Sequence, residues 1–202
     1  MIYLGLDPGT KDNMVLAALL PDDLRVATID CGKDGDARSR TIVAAPAARG
    51  AIKALTLPED AALLVVEWQR PLPGDKRPKN ISDLSAFAGL AMGAIQGCFS
   101  NLTVFTPTPD EWKGQVPKHI KHNRIVALAG LDRVRFALER AGIPVPASLG
   151  RFAREFSGKA SNAIDAIGLA LWGKQQDSSL SRYIRQCKLP VHDRSRSSKV
   201  GP

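Results

Sequence analysis

Two short apolar runs each end in a carboxylate: Ile2-Tyr3-Leu4-Gly5-Leu6-Asp7 and Ala61-Ala62-Leu63-Leu64-Val65-Val66-Glu67. Runs of this length and apolarity read as buried strands. An ionised carboxylate at the end of a buried strand is costly unless it is paired or bound to a cation. A third acid, Asp165, lies in Ser161-Asn162-Ala163-Ile164-Asp165-Ala166-Ile167-Gly168-Leu169-Ala170-Leu171, which has helical periodicity. Acids so far apart in the chain meet only in a folded site, and hard divalent cations need such oxygen clusters.

The partner is suggested by charge. The chain carries a net charge of +8 with a pI near 9.7, which favours nucleic acid or another polyanion. Residues 174–202 hold seven Lys/Arg against Asp177 and Asp193, so most of the excess sits in a tail. Cys31, Cys98 and Cys187 are far apart and form no CxxC pair, which argues against a disulfide framework and a zinc site. No apolar stretch is long enough to span a bilayer and no basic-led leader precedes Ile2, so no membrane association and a cytoplasmic location are expected.

The pattern along the chain is that of an α/β domain. Strands are expected at 2–7, 13–20, 24–30, 62–67 and 102–105, with Pro21-Asp22-Asp23 as a hairpin turn. Helices are expected at 41–57, at 82–99 with Ser82 as N-cap, over a basic region from about 117 to 142, and at 160–175. Residues 31–40, the Pro/Lys/Arg-rich segment 68–80 and Thr106–Gly114 read as loops. This organisation divides the chain into a domain over 1–176 and a basic, flexible tail over 177–202.

The order strand–strand–strand–helix–strand–helix–strand–helix, with acids closing the first and fourth strands and on the last helix, resembles the RNase H-like nucleases. More narrowly it is similar to the RuvC family of Holliday-junction resolvases, phage type. The residues that carry the likeness are Leu4-Gly5-Leu6-Asp7-Pro8-Gly9, Val65-Val66-Glu67, Asn162-Ala163-Ile164-Asp165-Ala166 and Thr108-Pro109-Asp110-Glu111-Trp112-Lys113-Gly114. The resemblance implies a mixed five-stranded sheet, its first three strands antiparallel, flanked by helices. It also implies a homodimeric, metal-dependent endodeoxyribonuclease that resolves four-way or other branched DNA in recombination and repair. No small-molecule cofactor is expected.

In that reading Asp7 bridges two Mg²⁺ or Mn²⁺ ions, Glu67 holds one, and Asp165 with Asn162 holds the other. The family usually has an acid or His where this chain has Asn162, whose amide oxygen is a neutral hard ligand. Two such ions activate a water and stabilise the leaving oxygen. Lys113 joins the catalytic set as a stabiliser of charge on the attacked phosphate. Arg70, Lys76, Arg77 and Lys79 in the loop after Glu67, and Lys118, Lys121 and Arg124 further on, are expected to contact nucleic acid. Trp68 and Trp112 are expected to stack on unpaired bases, although Trp68 reads equally as a continuation of the strand into the core. The histidines of Lys118-His119-Ile120-Lys121-His122 have no third ligand nearby in sequence, so a basic phosphate-facing helix is preferred to a zinc site. Gly89, Gly93 and Gly97 form a smooth helix face that suits close packing on the sheet or on a second subunit. Two rival functions remain open: an RNase H-like nuclease acting on RNA, and a branched-DNA-binding protein with weak catalysis.

Overall fold

The structure is a computed structural model, and it describes residues 1–8, 13–31, 37–55, 57, 61–69, 78–147, 149, 156 and 158–186. Five strands, β1 (Ile2–Asp7), β2 (Asn13–Leu19), β3 (Leu24–Asp30), β4 (Ala61–Val66) and β5 (Asn101–Phe105), form one sheet in the order β3-β2-β1-β4-β5. The first three run antiparallel, with Leu4 opposite Ala18 and Ala17 opposite Val26. β4 and β5 add in parallel, with Leu6 beside Val66 and Leu64 beside Val104. This is the RNase H-like arrangement that the order of elements implies.

Side chains alternate across a strand, so the sheet feeds two cores. Leu4, Leu6, Leu16, Leu64 and Val66 point to one face, where they meet α1 (Ala37–Ala54) and α2 (Pro78–Gln96). Val15, Ala17, Leu19 and Val26 point to the other, against α4 (Lys118–Ala129), α5 (Leu131–Arg140) and α6 (Gly158–Gln186). Tyr3, Gly5 and Asp7 share that second face by the same alternation. There α6 crosses β1 so closely that a Cβ on Gly5 would lie 2.0 Å from the Ala166 carbonyl oxygen. Glycine at this position is what lets the helix bearing Asp165 reach the strand bearing Asp7.

Several boundaries differ from expectation. α1 starts at Ala37, inside the segment read as loop, and carries Pro46 internally. α2 begins at Pro78 rather than Ser82; proline fits the first helical turn, where its missing N–H has no partner to lose. The basic helical region is two helices, broken at Gly130 with φ 90°. α6 continues to Gln186, well past the expected end at 175. One anchor of that extension is the Tyr3 hydroxyl, which donates to Asp177 Oδ2 at 2.8 Å. The glycine face of α2 does not pack on the sheet. A Cβ on Gly89 or Gly93 meets nothing within 4 Å, and one on Gly97 meets only carbonyls of its own helix; Ala88, Ala91, Ala94 and Ile95 are the buried face instead. Among the described residues no helix is long and apolar enough to cross a membrane, and neither Cys31 nor Cys98 is in a disulfide.

Candidate active site

Asp7 ends β1, and Glu67 follows β4 by one residue, its N–H donating to the Leu6 carbonyl at 3.3 Å. Since Leu6 and Val66 are register partners, Asp7 and Glu67 are neighbours on the face toward α6. Asp165 on α6 immediately precedes Ala166, the residue that touches Gly5. All three carboxylates are buried, at 8 %, 3 % and 4 % exposure respectively. Such burial calls for compensation, and lysines supply it. Lys113 Nζ lies 2.5 Å from Glu67 Oε2, Lys121 Nζ pairs with Asp165 Oδ1, and Lys118 Nζ is 3.8 Å from Asp165 Oδ2.

Lys113 is delivered by a turn of helix that reads as loop in the sequence, α3 (Pro109–Lys113). Its start is a capping box: the Glu111 carboxylate accepts from the Thr108 backbone N–H at 2.6 Å and from its hydroxyl at 2.9 Å. Thr108 and Glu111 at that spacing were the available signal. The Trp68 N–H donates to the Pro107 carbonyl at 2.9 Å, which ties the exit of β4 to the approach of α3. Trp112 Nε1–H then donates to Glu67 Oε2 at 2.8 Å. Lys113 and Lys121 ammonium groups sit 4.8 and 4.7 Å from the Trp112 ring centroid, within cation–π range. Trp112 is thus engaged inside the site, where it contacts Glu67 and two lysines.

Trp68 packs with the apolar layer beneath α1 and α2. It follows Glu67, so alternation turns it to the opposite face, as the core-directed reading anticipates. Asn162 is half-buried one helical turn before Asp165, on a shared face. Arg124 and Lys118 are exposed. Arg70, Lys76 and Arg77 lie outside the described residues, and Lys79 is placed only as part of α2.

Two further residues join the cluster. Gln69 Nε2 donates to Glu67 Oε1 at 2.5 Å. His122, fully buried, places Nε2 3.2 Å from Asp165 Oδ1 and its ring 5.5 Å from Phe156. Burial pushes the Asp165 carboxyl up, but the His122 hydrogen bond and the Lys113 and Lys121 charges outweigh it and hold it well below the usual carboxylate range. Burial also pulls the Lys121 ammonium down, and there it prevails over the attraction of Asp165. For Lys113, burial acts the same way but is overcome by Glu67 and then Asp165, so its ammonium is held up. The site keeps Asp165 ionised and its lysines close.

The donor chemistry, three buried carboxylates and an amide, suits a hard divalent cation. The side chains are gathered around lysines, however, and among the described residues no three His, Cys, Asp or Glu groups are close enough together to hold a metal ion.

No family model matches the chain, and no curated protein matches it. Among solved structures the chain is similar to Thermus thermophilus RuvC in complex with a Holliday junction substrate, at 15% identity over 93% of this chain and 96% of that one, with a TM-score of 0.48. A second T. thermophilus RuvC structure aligns at 15% identity over 92% and 96%, with a TM-score of 0.42. The yeast mitochondrial Holliday junction resolvase Ydc2 aligns at 13% identity over 92% and 82%, with a TM-score of 0.44. These are RuvC-type resolvases, the group that the order of motifs in this chain resembles.

Proposed function

We propose that this protein is a divalent-metal-dependent endonuclease that nicks branched DNA, four-way junctions above all, as a homodimer. One observation carries the reading: Asp7, Glu67 and Asp165 are each buried, at the ends of the adjacent strands β1 and β4 and on the helix that crosses β1, and lysines pair with Glu67 and Asp165. A structural ion-pair network has no need of three buried acids on adjacent elements, whereas metal-dependent phosphodiester hydrolysis uses such acids as ligands.

Asp7, Glu67 and Asp165 would hold Mg²⁺ or Mn²⁺, with Asn162 as a neutral fourth donor. The bound cations supply an activated water and charge compensation for the leaving oxygen. The chain's own groups do the remainder. Trp112 and Gln69 fix the Glu67 carboxylate, and His122 fixes Asp165. Lys113 pairs with Glu67 and Lys121 with Asp165, and in this reading both turn onto the attacked phosphate, where ammonium groups stabilise developing charge. The open face of α2 at Gly89, Gly93 and Gly97 is where a second copy would pack, so that two sites act on opposing strands.

The test is incubation with a labelled four-way junction and Mg²⁺ or Mn²⁺, with the nicks mapped on each strand. Paired, symmetric nicks are expected, together with a two-fold dimer by ultracentrifugation. Cleavage confined to an RNA–DNA hybrid or single-stranded RNA would move the protein to another branch of RNase H-like nucleases. The lysine cover on the acids also suits a protein that binds junctions without cutting, and tight binding with no nick in either metal would establish that reading.

A further inference from the structure

Beside the carboxylate cluster runs a groove of about 280 Å³ between α4 and α6. One wall is the α4 face of Lys121, Arg124, Ile125 and Leu128, at spacing i, i+3, i+4, i+7. The other is the α6 face of Gly168, Leu171, Trp172 and Gln175, which starts one turn beyond Asp165. Gly168 forms the floor: a Cβ there would lie 2.5 Å from Ile125 Cδ1 and 2.9 Å from the Trp112 ring. Trp172 stands half-buried at the far end, held edge-to-face against Phe105 with ring centroids 6.2 Å apart. Seven residues along a helix amount to about 10 Å, so this indole lies one short step from Asp165.

We infer that this groove takes the base of an unpaired nucleotide adjoining the attacked phosphate, with Trp172 as the stacking surface. The assignment rests on the nuclease reading and adds a subsite to it. Three features select the occupant. The groove offers an indole and aliphatic walls, which suit the flat, apolar face of a base. Its lining includes Lys113, Lys121 and Arg124 and, among the described residues, no carboxylate, which suits the phosphates on either side of that base. Its volume is at the small end for ligand sites, which run from about 300 Å³ upward, and so matches a single base rather than a duplex. Trp112 closes the inner end, its position fixed by Glu67 and the lysines. A base seated here would hold the neighbouring phosphate over the carboxylates, and a paired base could not reach it.

The test uses the full-length protein in EDTA, so that no nicking intervenes. Fluorescence anisotropy compares a labelled oligo-dT strand with the same strand carrying one abasic position, moved stepwise along it. The wild type is expected to lose about tenfold in affinity when the abasic position meets the groove, the scale of one base–aromatic stack. Trp172→Ala is expected to bind the intact strand as weakly as the wild type binds the abasic one. A variant that retains the full difference between the strands overturns the inference. A second measurement needs no variant: oligonucleotides with 5-iodouracil, irradiated on the wild-type protein, should crosslink to the peptide bearing Trp172, and crosslinks found only elsewhere also overturn it. A protein that nicks junctions but shows no abasic effect sinks the groove alone. One that binds neither the strand nor a four-way junction sinks the nuclease reading and the groove together.

Discussion

Replacing Gly5 with alanine places a methyl group where α6 crosses β1. The added Cβ would sit 2.0 Å from the Ala166 carbonyl oxygen, 2.6 Å from the Ala170 nitrogen and 2.9 Å from the Leu169 Cβ. Two of these are backbone atoms, which no rotamer change can move aside. To restore an ordinary contact of 3.4 Å, α6 must recede by about 1.4 Å. A gap of about 1 Å already forfeits up to half of a dispersion contact, and the loss extends along the layer where α6 covers β1. The expected cost is about 3 kcal/mol or more, at or above the top of the usual range for overpacking. For a domain of this size that corresponds to a melting point lower by roughly 6–12 °C. The same shift carries Asp165 away from Asp7, and a misplacement of about 1 Å lowers a rate on the order of a hundredfold. Urea melts at pH 7 and junction nicking by the same preparation measure both. Gly50→Ala is the control, because its Cβ meets nothing within 4 Å and a helical Gly-to-Ala change adds about 0.5–1 kcal/mol. A Gly5→Ala protein within 1 kcal/mol of wild type that nicks at full rate would refute the claim that this glycine sets the distance between helix and strand.

Asp7→Asn, Glu67→Gln and Asp165→Asn are each expected to lower nicking at least about a hundredfold while junction binding persists or tightens; any one that nicks near the wild-type rate removes that residue from the site. Lys121→Met removes the cation paired directly with buried Asp165, leaving His122, the exposed Lys118 and the charge of Lys113 near it, and should cost about 3 kcal/mol, the low end for breaking a buried pair. A denaturant midpoint unchanged at pH 7 would show that Lys121 is dispensable to Asp165. Burial first, then the hydrogen bond to Asp177 and its charge, push the Tyr3 phenol up to about 12. A raised folded value means that this contribution is complete below about pH 10 and is lost as pH climbs through about 12. Spectrophotometric titration should therefore show one of the two tyrosines ionising late. Tyr3→Phe should abolish that late step and cost about 1 kcal/mol, and a late step that survives the substitution would assign it to the other tyrosine.

By itself the sequence determined the five strands, their chain order, and the acids that close the first and fourth. Those features are local: strand burial shows as an apolar run, and a carboxylate at the end of such a run stands out against it. Asp165 was legible for the same reason, as an acid on an otherwise apolar helix face. The helix ends were less so: α1 starts at Ala37 within residues read as loop, and α2 starts at Pro78 in a Pro-rich segment read as loop, although a first turn accepts proline.

Only the tertiary structure decided which charges meet. Lys121 and His122 look like part of a solvated basic face until α4 packs on α6 and buries both against Asp165. Trp112 reads as a free aromatic among cations, and becomes the donor to Glu67 once α3 folds over the end of β4. Trp172 carries no signal beside its neighbours in the chain, since its groove is made with residues some fifty positions earlier. Periodicity reports how a segment buries itself. The identity of the groups across the gap depends on the distance between two packed layers, here set where α6 rests on Gly5.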